Sequence, residues 1–106
     1  MRKLIYTVVA VATAAPALAA VDFSDLIGFT LTEETTVVGY IEDGEYEDGY
    51  AGCTHGRILV FQDKLGVVCA EYNYDYAYRP TAFIFERGSS LKVVIDNEIM
   101  DARRVR

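Results

Sequence analysis

Two cysteines, one histidine, a run of alternating tyrosines and a dense set of carboxylates are the residues of this 106-residue chain whose types could do chemistry. Cys53 and Cys69 are its only cysteines. In an exported chain such a pair reads as one disulfide, and closing a loop of about 16 residues contributes roughly 3 kcal/mol by restricting the unfolded state. His55 sits in Cys53-Thr-His-Gly56. A metal there would need further ligands, and a cysteine committed to a disulfide is not one, so no metal site and no cofactor is assigned. The sequence carries no Ser-His-Asp set, no reactive-cysteine pattern and no phosphate loop. Paired carboxylates of the glycosidase kind need a deep cleft, which so small a domain hardly encloses. The chain therefore reads as a binding protein and not as an enzyme.

The stretch CAEYNYDYAYRP, residues 69–80, places Tyr72, Tyr74, Tyr76 and Tyr78 at every second position. On a strand these rings share one face with Val68 and Ala70, while Cys69, Glu71, Asn73, Asp75 and Ala77 take the other. A straight strand from Val68 to Tyr78 would run about 33 Å, longer than a domain of roughly 30 Å diameter accommodates. The expectation is that Tyr72, next to Val68 and Ala70, belongs to the core, and that the chain bends or reaches an edge at Asn73 and Asp75, both poor strand formers. Pro80 removes a ladder hydrogen bond, holds Arg79 extended and ends the strand. Tyr74, Tyr76, Tyr78 and Arg79 are then the candidate binding surface, because rigid rings with one polar tip offer contact area at low entropic cost and arginine stacks on them.

Carboxylates crowd residues 42–49, EDGEYEDG, flanked by Tyr40 and Tyr50. Their spacing is not that of an EF-hand loop, so calcium there would be held only weakly, and a solvated acidic turn is the plainer reading. The repeat of Glu-Asp-Gly at 42–44 and 47–49 suggests two successive tight turns.

The elements that must position these residues are strands. No segment beyond residue 20 holds helical periodicity for more than a turn or two, apart from a short helical piece near residues 24–27, and β-branched and aromatic residues dominate the apolar runs. Strands are expected at 28–31, 35–41, 57–61, 66–72, 81–86, 91–95 and 98–103. Hairpin turns are expected at 62–66, at 87–90 and at Asp96-Asn97, whose residues tolerate positive φ. Ala82 and Ile84 on one face and Phe83 and Phe85 on the other make the fifth of these strands apolar on both sides, hence central. The fold expected is all-β: a small antiparallel meander closing into a partly open SH3-like or OB-like barrel.

Residues 1–19 read as a helical signal peptide, with a positive start at Arg2-Lys3, an apolar run and small residues at Ala17-Leu-Ala19. Residues 20–106 then form a single domain that is periplasmic or secreted, with no stable membrane anchor. Without Arg2 and Lys3 the chain keeps 8 basic against 16 acidic residues, a net charge of −8. Such a field repels nucleic acid and steers basic partners or cationic ligands inward. With 87 residues the domain buries only about 60–65% of its unfolded surface, so the disulfide matters to stability.

The Tyr-Asp-Tyr-Ala-Tyr string from Tyr74 to Tyr78 is superficially similar to the aromatic motif with which SH3 domains grip proline-rich peptides. That motif stands near the start of an SH3 domain, whereas this string lies past the middle of the chain, and no second motif matches. In size, charge and compartment the chain is also similar to small exported, disulfide-stapled lysozyme inhibitors, with no shared motif. Both are likenesses of class only. The function expected is binding of a protein or peptide partner in the cell envelope through the tyrosine face. A glycan- or small-ligand-binding module, or an acidic inhibitor or immunity-type protein of a basic enzyme, is the alternative.

Overall fold

A run of threonine, valine and glutamate with no proline builds the longest element, β1 (Thr30–Glu42), in a computed structural model that describes residues 21–105. The expected signal peptide lies outside the described residues. β2 (Glu45–Asp48), β3 (Ile58–Phe61), β4 (Lys64–Cys69), β5 (Thr81–Arg87), β6 (Ser90–Ile95) and β7 (Glu98–Arg104) follow, all antiparallel to their neighbours. The two strands expected at 28–31 and 35–41 are one, because β1 runs unbroken across their junction, through a register shift between Leu31 and Glu33, and carries a bulge further on between Val37 and Gly39. That bulge lets a single strand bend enough to serve two parts of the sheet. Its first half pairs with β5 and its second half with β3.

That double pairing closes the sheet. The ring runs β1, β3, β4, β7, β6, β5 and back to β1, with β2 added beside the far end of β1. The barrel is therefore closed, not partly open, and closure removes the edges that so short a sheet would otherwise expose. Hairpins join β3 to β4, β5 to β6 and β6 to β7, where the sequence placed them. The turn between β6 and β7 has φ of 53° at Asp96 and 66° at Asn97, a two-residue primed turn matching strand twist. β4 and β5 are not neighbours. The chain returns from the third strand of the ring to lie beside the first, a Greek-key connection, and residues 70–80 are that crossover.

The barrel interior is packed by Val37, Leu59, Phe61, Val67, Ala82, Ile84, Val93, Ile95 and Met100, with Cys53 and Cys69 among them. Each fully buried aliphatic side chain contributes about 1.5–3 kcal/mol. β5 is apolar on both faces, as expected, and the second face has its own cover. Phe85, with Val94, packs outside the barrel against Val21 and Leu26, which the short 3-10 turn Phe23–Leu26 brings down onto the sheet. Asp22 caps that turn by accepting from the Ser24 backbone N–H at 3.0 Å, and the Ser24 hydroxyl bond to the same carboxylate holds Asp22 below the usual carboxylate range.

Candidate functional site

Cys53 and Cys69 are bonded, with their Cα atoms 5.6 Å apart. The bond fixes the geometry of everything around it, because it locks the segment before Cys53 antiparallel to the segment after Cys69. Two isolated bridges continue that pairing, Cys53 with Asn73 and Tyr50 with Ala77. Gly52, at φ 81°, lets the two segments approach: a Cβ there would collide with the Asn73 carbonyl. Glu71 anchors the start of the crossover by accepting from the Asp101 N–H on β7.

Glu71, Asn73, Asp75 and Ala77 are thereby turned inward, and the tyrosines outward. Tyr72 is 77% exposed, Tyr74 85%, Tyr76 66% and Tyr78 87%. The assignment of Tyr72 to the core is thus corrected. β4 ends at Cys69, and the face that stays inside is that of Cys69, Asn73 and Ala77, since the disulfide and both bridges hold those residues. Arg79 also departs from expectation. It has φ of 43°, not an extended backbone, because the chain turns sharply there to enter β5, where the Val37 N–H donates to the Pro80 carbonyl at 2.9 Å.

Of the expected surface residues, Tyr74 and Tyr76 meet edge to face, their ring centroids 5.5 Å apart and their hydroxyls 3.2 Å apart, and that hydroxyl contact raises the Tyr76 phenol above its ordinary range. Arg79 stacks on Tyr78 with its guanidinium 5.8 Å from the ring centroid. These four residues form one exposed strip along the crossover.

Other side chains complete the surface. Tyr40 on β1 lies beneath the crossover, and the Arg57 guanidinium stacks over its ring at 4.2 Å. Arg57 donates to Glu42 Oε1 at 2.5 Å and to the carbonyls of Ala51 and Gly52 at 3.0 and 3.2 Å, while the Thr54 hydroxyl donates to the same Glu42 oxygen. These bonds, Arg57 foremost, hold the Glu42 carboxyl below its usual range. One cleft, of about 230 Å³, has Tyr40, Arg57, Tyr72, Tyr74 and Tyr76 in its walls. A wider cleft beside it, of about 500 Å³, is bounded by Tyr40, Asp48, Tyr50, Ala51, Tyr76 and Tyr78.

The acidic segment 42–49 is a hairpin. Asp43 and Gly44, at φ 54° and 81°, make a primed turn, and Glu45–Asp48 forms β2, a strand the sequence reading did not expect. All four β2 residues are exposed. Among the described residues no group of three His, Cys, Asp or Glu side chains is placed to hold a metal ion. Under the crossover the Asp96 carboxyl lies close to that of Asp75, and sharing a proton with it, then the Asp75 charge, raises Asp96 above the usual carboxylate range. Asp75 Oδ2 is buried with no hydrogen-bond partner among the described residues. Nearby, Tyr50 is buried with its hydroxyl 3.8 Å from Met100 Sδ, and burial, then the charges of Asp75, Asp96 and Glu98, push its phenol well up.

Tyr40, Asp48, Tyr50 and Arg57 were not legible as site residues. A signal for the first three existed in the two tyrosines that flank the acidic segment, once the disulfide is taken to lay residues 50–53 along residues 73–77. The fold and this surface define a disulfide-stapled Greek-key barrel whose crossover presents tyrosines. In comparison with known proteins, no family model, curated protein or solved structure matches the chain.

Proposed function

We propose that this chain is an exported, non-enzymatic envelope protein that binds a protein or peptide partner through the tyrosine face of its crossover. The observation that carries the reading is the exposure of Tyr72, Tyr74, Tyr76 and Tyr78 on a segment tied down by a disulfide, two bridges and Glu71. Large apolar rings seldom stand together in water on a rigid segment without a binding role, and rigid rings lose little entropy on contact. A disulfide suits an oxidising compartment, which supports a periplasmic or secreted site of action after removal of residues 1–19. We read the barrel as nearer to an OB-like than an SH3-like design, since its Greek-key path and bent first strand are those of the former.

The test compares the mature chain with a variant carrying Tyr74→Ser, Tyr76→Ser and Tyr78→Ser, each immobilised and exposed to envelope extract. The variant should keep the wild-type melting temperature within a few degrees and lose the captured partner. Equal capture by both proteins would overturn the reading. Binding to defined glycans, lost in the same variant, would instead favour the sugar-binding alternative.

A further inference from the structure

We propose that the cleft between Asp48 and the rings of Tyr40, Tyr76 and Tyr78 receives a lysine side chain of the partner protein. The proposal rests on the tyrosine-face reading above and adds the chemistry that face recognises.

The argument begins with the neighbouring cleft, where the chain has built a cation site for itself. Three parts are present there: the Tyr40 ring, the Arg57 guanidinium 4.2 Å above it, and the Glu42 carboxylate that neutralises the guanidinium. The wider cleft shares Tyr40 and Tyr76 with the first and repeats two of the three parts. It has rings, now including Tyr78, and it has a carboxylate, Asp48. No basic side chain lines it. A cation over a tyrosine face is attracted by the negative face of the ring, the more so where water is partly excluded and a carboxylate stands beside it.

Asp48 is available for this role. Among the described residues it forms no salt bridge, the four ion pairs being made by Glu33, Glu42, Glu86 and Asp101. Its neighbour, the Tyr46 hydroxyl, donates to the Val38 carbonyl at 3.4 Å. Arg79 lines an adjoining recess of about 360 Å³ that shares Asp48, Gly49 and Tyr78 with the cleft, and its guanidinium lies toward the Tyr78 ring, 5.8 Å from the centroid. Charge around the cleft points the same way, since Asp43, Glu45 and Glu47 are exposed on the same hairpin and draw cations toward it.

The shape selects lysine over arginine. Arg57 is held by acceptors set around a planar fork, Glu42 on one side and two backbone carbonyls on the other. The wider cleft offers a single carboxylate in about 500 Å³, which suits a compact ammonium on a flexible stem, with water completing its shell.

The experiment titrates the mature protein with a blocked peptide of glycines around one lysine, and with peptides in which norleucine or arginine replaces that lysine, following backbone amide and tyrosine ring signals by NMR. Saturable shifts should centre on Gly49, Ala51, Tyr76 and Tyr78, with the norleucine peptide about ten-fold weaker, since it keeps the stem and loses the charge. Asp48→Asn should weaken the lysine peptide by about five-fold and leave the rest of the spectrum in place, so that loss of fold is not mistaken for loss of the site. Norleucine binding as well as lysine, tighter binding of arginine, shifts centred elsewhere, or an Asp48→Asn variant that binds unchanged would each overturn the proposal. If partner capture depends on Tyr74, Tyr76 and Tyr78 while the lysine peptide ignores the cleft, the lysine assignment falls and the tyrosine-face reading stands. If capture is indifferent to those tyrosines, that reading falls, and the lysine assignment to a partner falls with it.

Discussion

β4 and the crossover that continues it obey the same two-residue alternation but meet different surroundings. In β4 both faces are covered, Val67 and Cys69 inside the barrel and Val68 outside it, all three buried. In the crossover only one face is covered, and it is the polar one: Asn73 and Asp75 are half-buried while the rings between them stand in water. Hydrophobicity alone would have turned the segment over. What opposes this is the Cys53–Cys69 bond with the Asn73 and Ala77 bridges, which hold Cys69, Asn73 and Ala77 in the inward phase. The difference teaches that a covalent staple can hold apolar side chains outward, and so maintain a binding face that burial would otherwise consume.

The strongest way to break this comparison is to cut the staple. Cys53→Ser with Cys69→Ser should cost about 2–5 kcal/mol and lower the melting temperature by roughly 10 °C or more. Beyond the loss of stability, the crossover should loosen first, with amide exchange at Asn73 and Ala77 rising to near that of open loops while β5 and β6 stay protected. Exchange that rises evenly through barrel and crossover would show that the staple supports the whole domain and has no special hold on the tyrosine phase.

A sharper contrast follows from placing two tyrosines side by side. Tyr50 is 3% exposed and packs in the barrel core, whereas Tyr72 is 77% exposed. Tyr50→Ala should therefore cost about 3–5 kcal/mol through lost burial and a residual cavity, and Tyr72→Ala about 1 kcal/mol or less. Urea unfolding of both variants measures this directly. Equal costs would mean that Tyr72 folds against the barrel in solution and that the crossover is core after all.

These contrasts also show which parts of the molecule the sequence displays. The hairpin turn at Asp96-Asn97, the two-faced strand β5 and the pairing of Cys53 with Cys69 depend on adjacent residues or on simple counting, and each was legible. β2 was not, because Glu45, Glu47 and Asp48 are weak strand formers with no buried face; only the Asp43-Gly44 turn announced it. The phase of Tyr72 was misread because Val67 and Val68 are both apolar, so alternation did not say which neighbour faces the barrel. The meeting of Tyr40, Asp48, Arg57 and Tyr76 comes from four separate strands or loops, and no local pattern encodes it.

The smallest expected effect concerns the polar underside of the crossover, where Asp75 faces Asp96. The Asp96 carboxyl is raised above its ordinary range by sharing a proton with Asp75, so the folded protein holds this proton more tightly than the unfolded chain does. The sign follows from linkage: the stabilisation is complete below the ordinary value, near pH 4, and is lost as pH rises through the raised value, leaving two carboxylates in repulsion at neutral pH. Glu42 and Glu86 act in the opposite sense. Arg57 on the first, and Thr32 then Arg104 on the second, lower their values, so their contributions are present above about pH 4.5 and fade as pH falls through the lowered values. Asp96→Asn removes the first effect and leaves the others. Asparagine accepts the positive φ of this turn, and its amide can donate to the orphaned Asp75 Oδ2. The variant should match wild type near pH 3 and melt a few degrees higher at pH 7, the gap opening across the interval where wild-type Asp96 ionises. Melting curves at half-unit pH steps check this. A gap that stays constant with pH would separate Asp96 from the crossover, and Asp75 would then be an unpaired buried carboxylate held only by the staple above it.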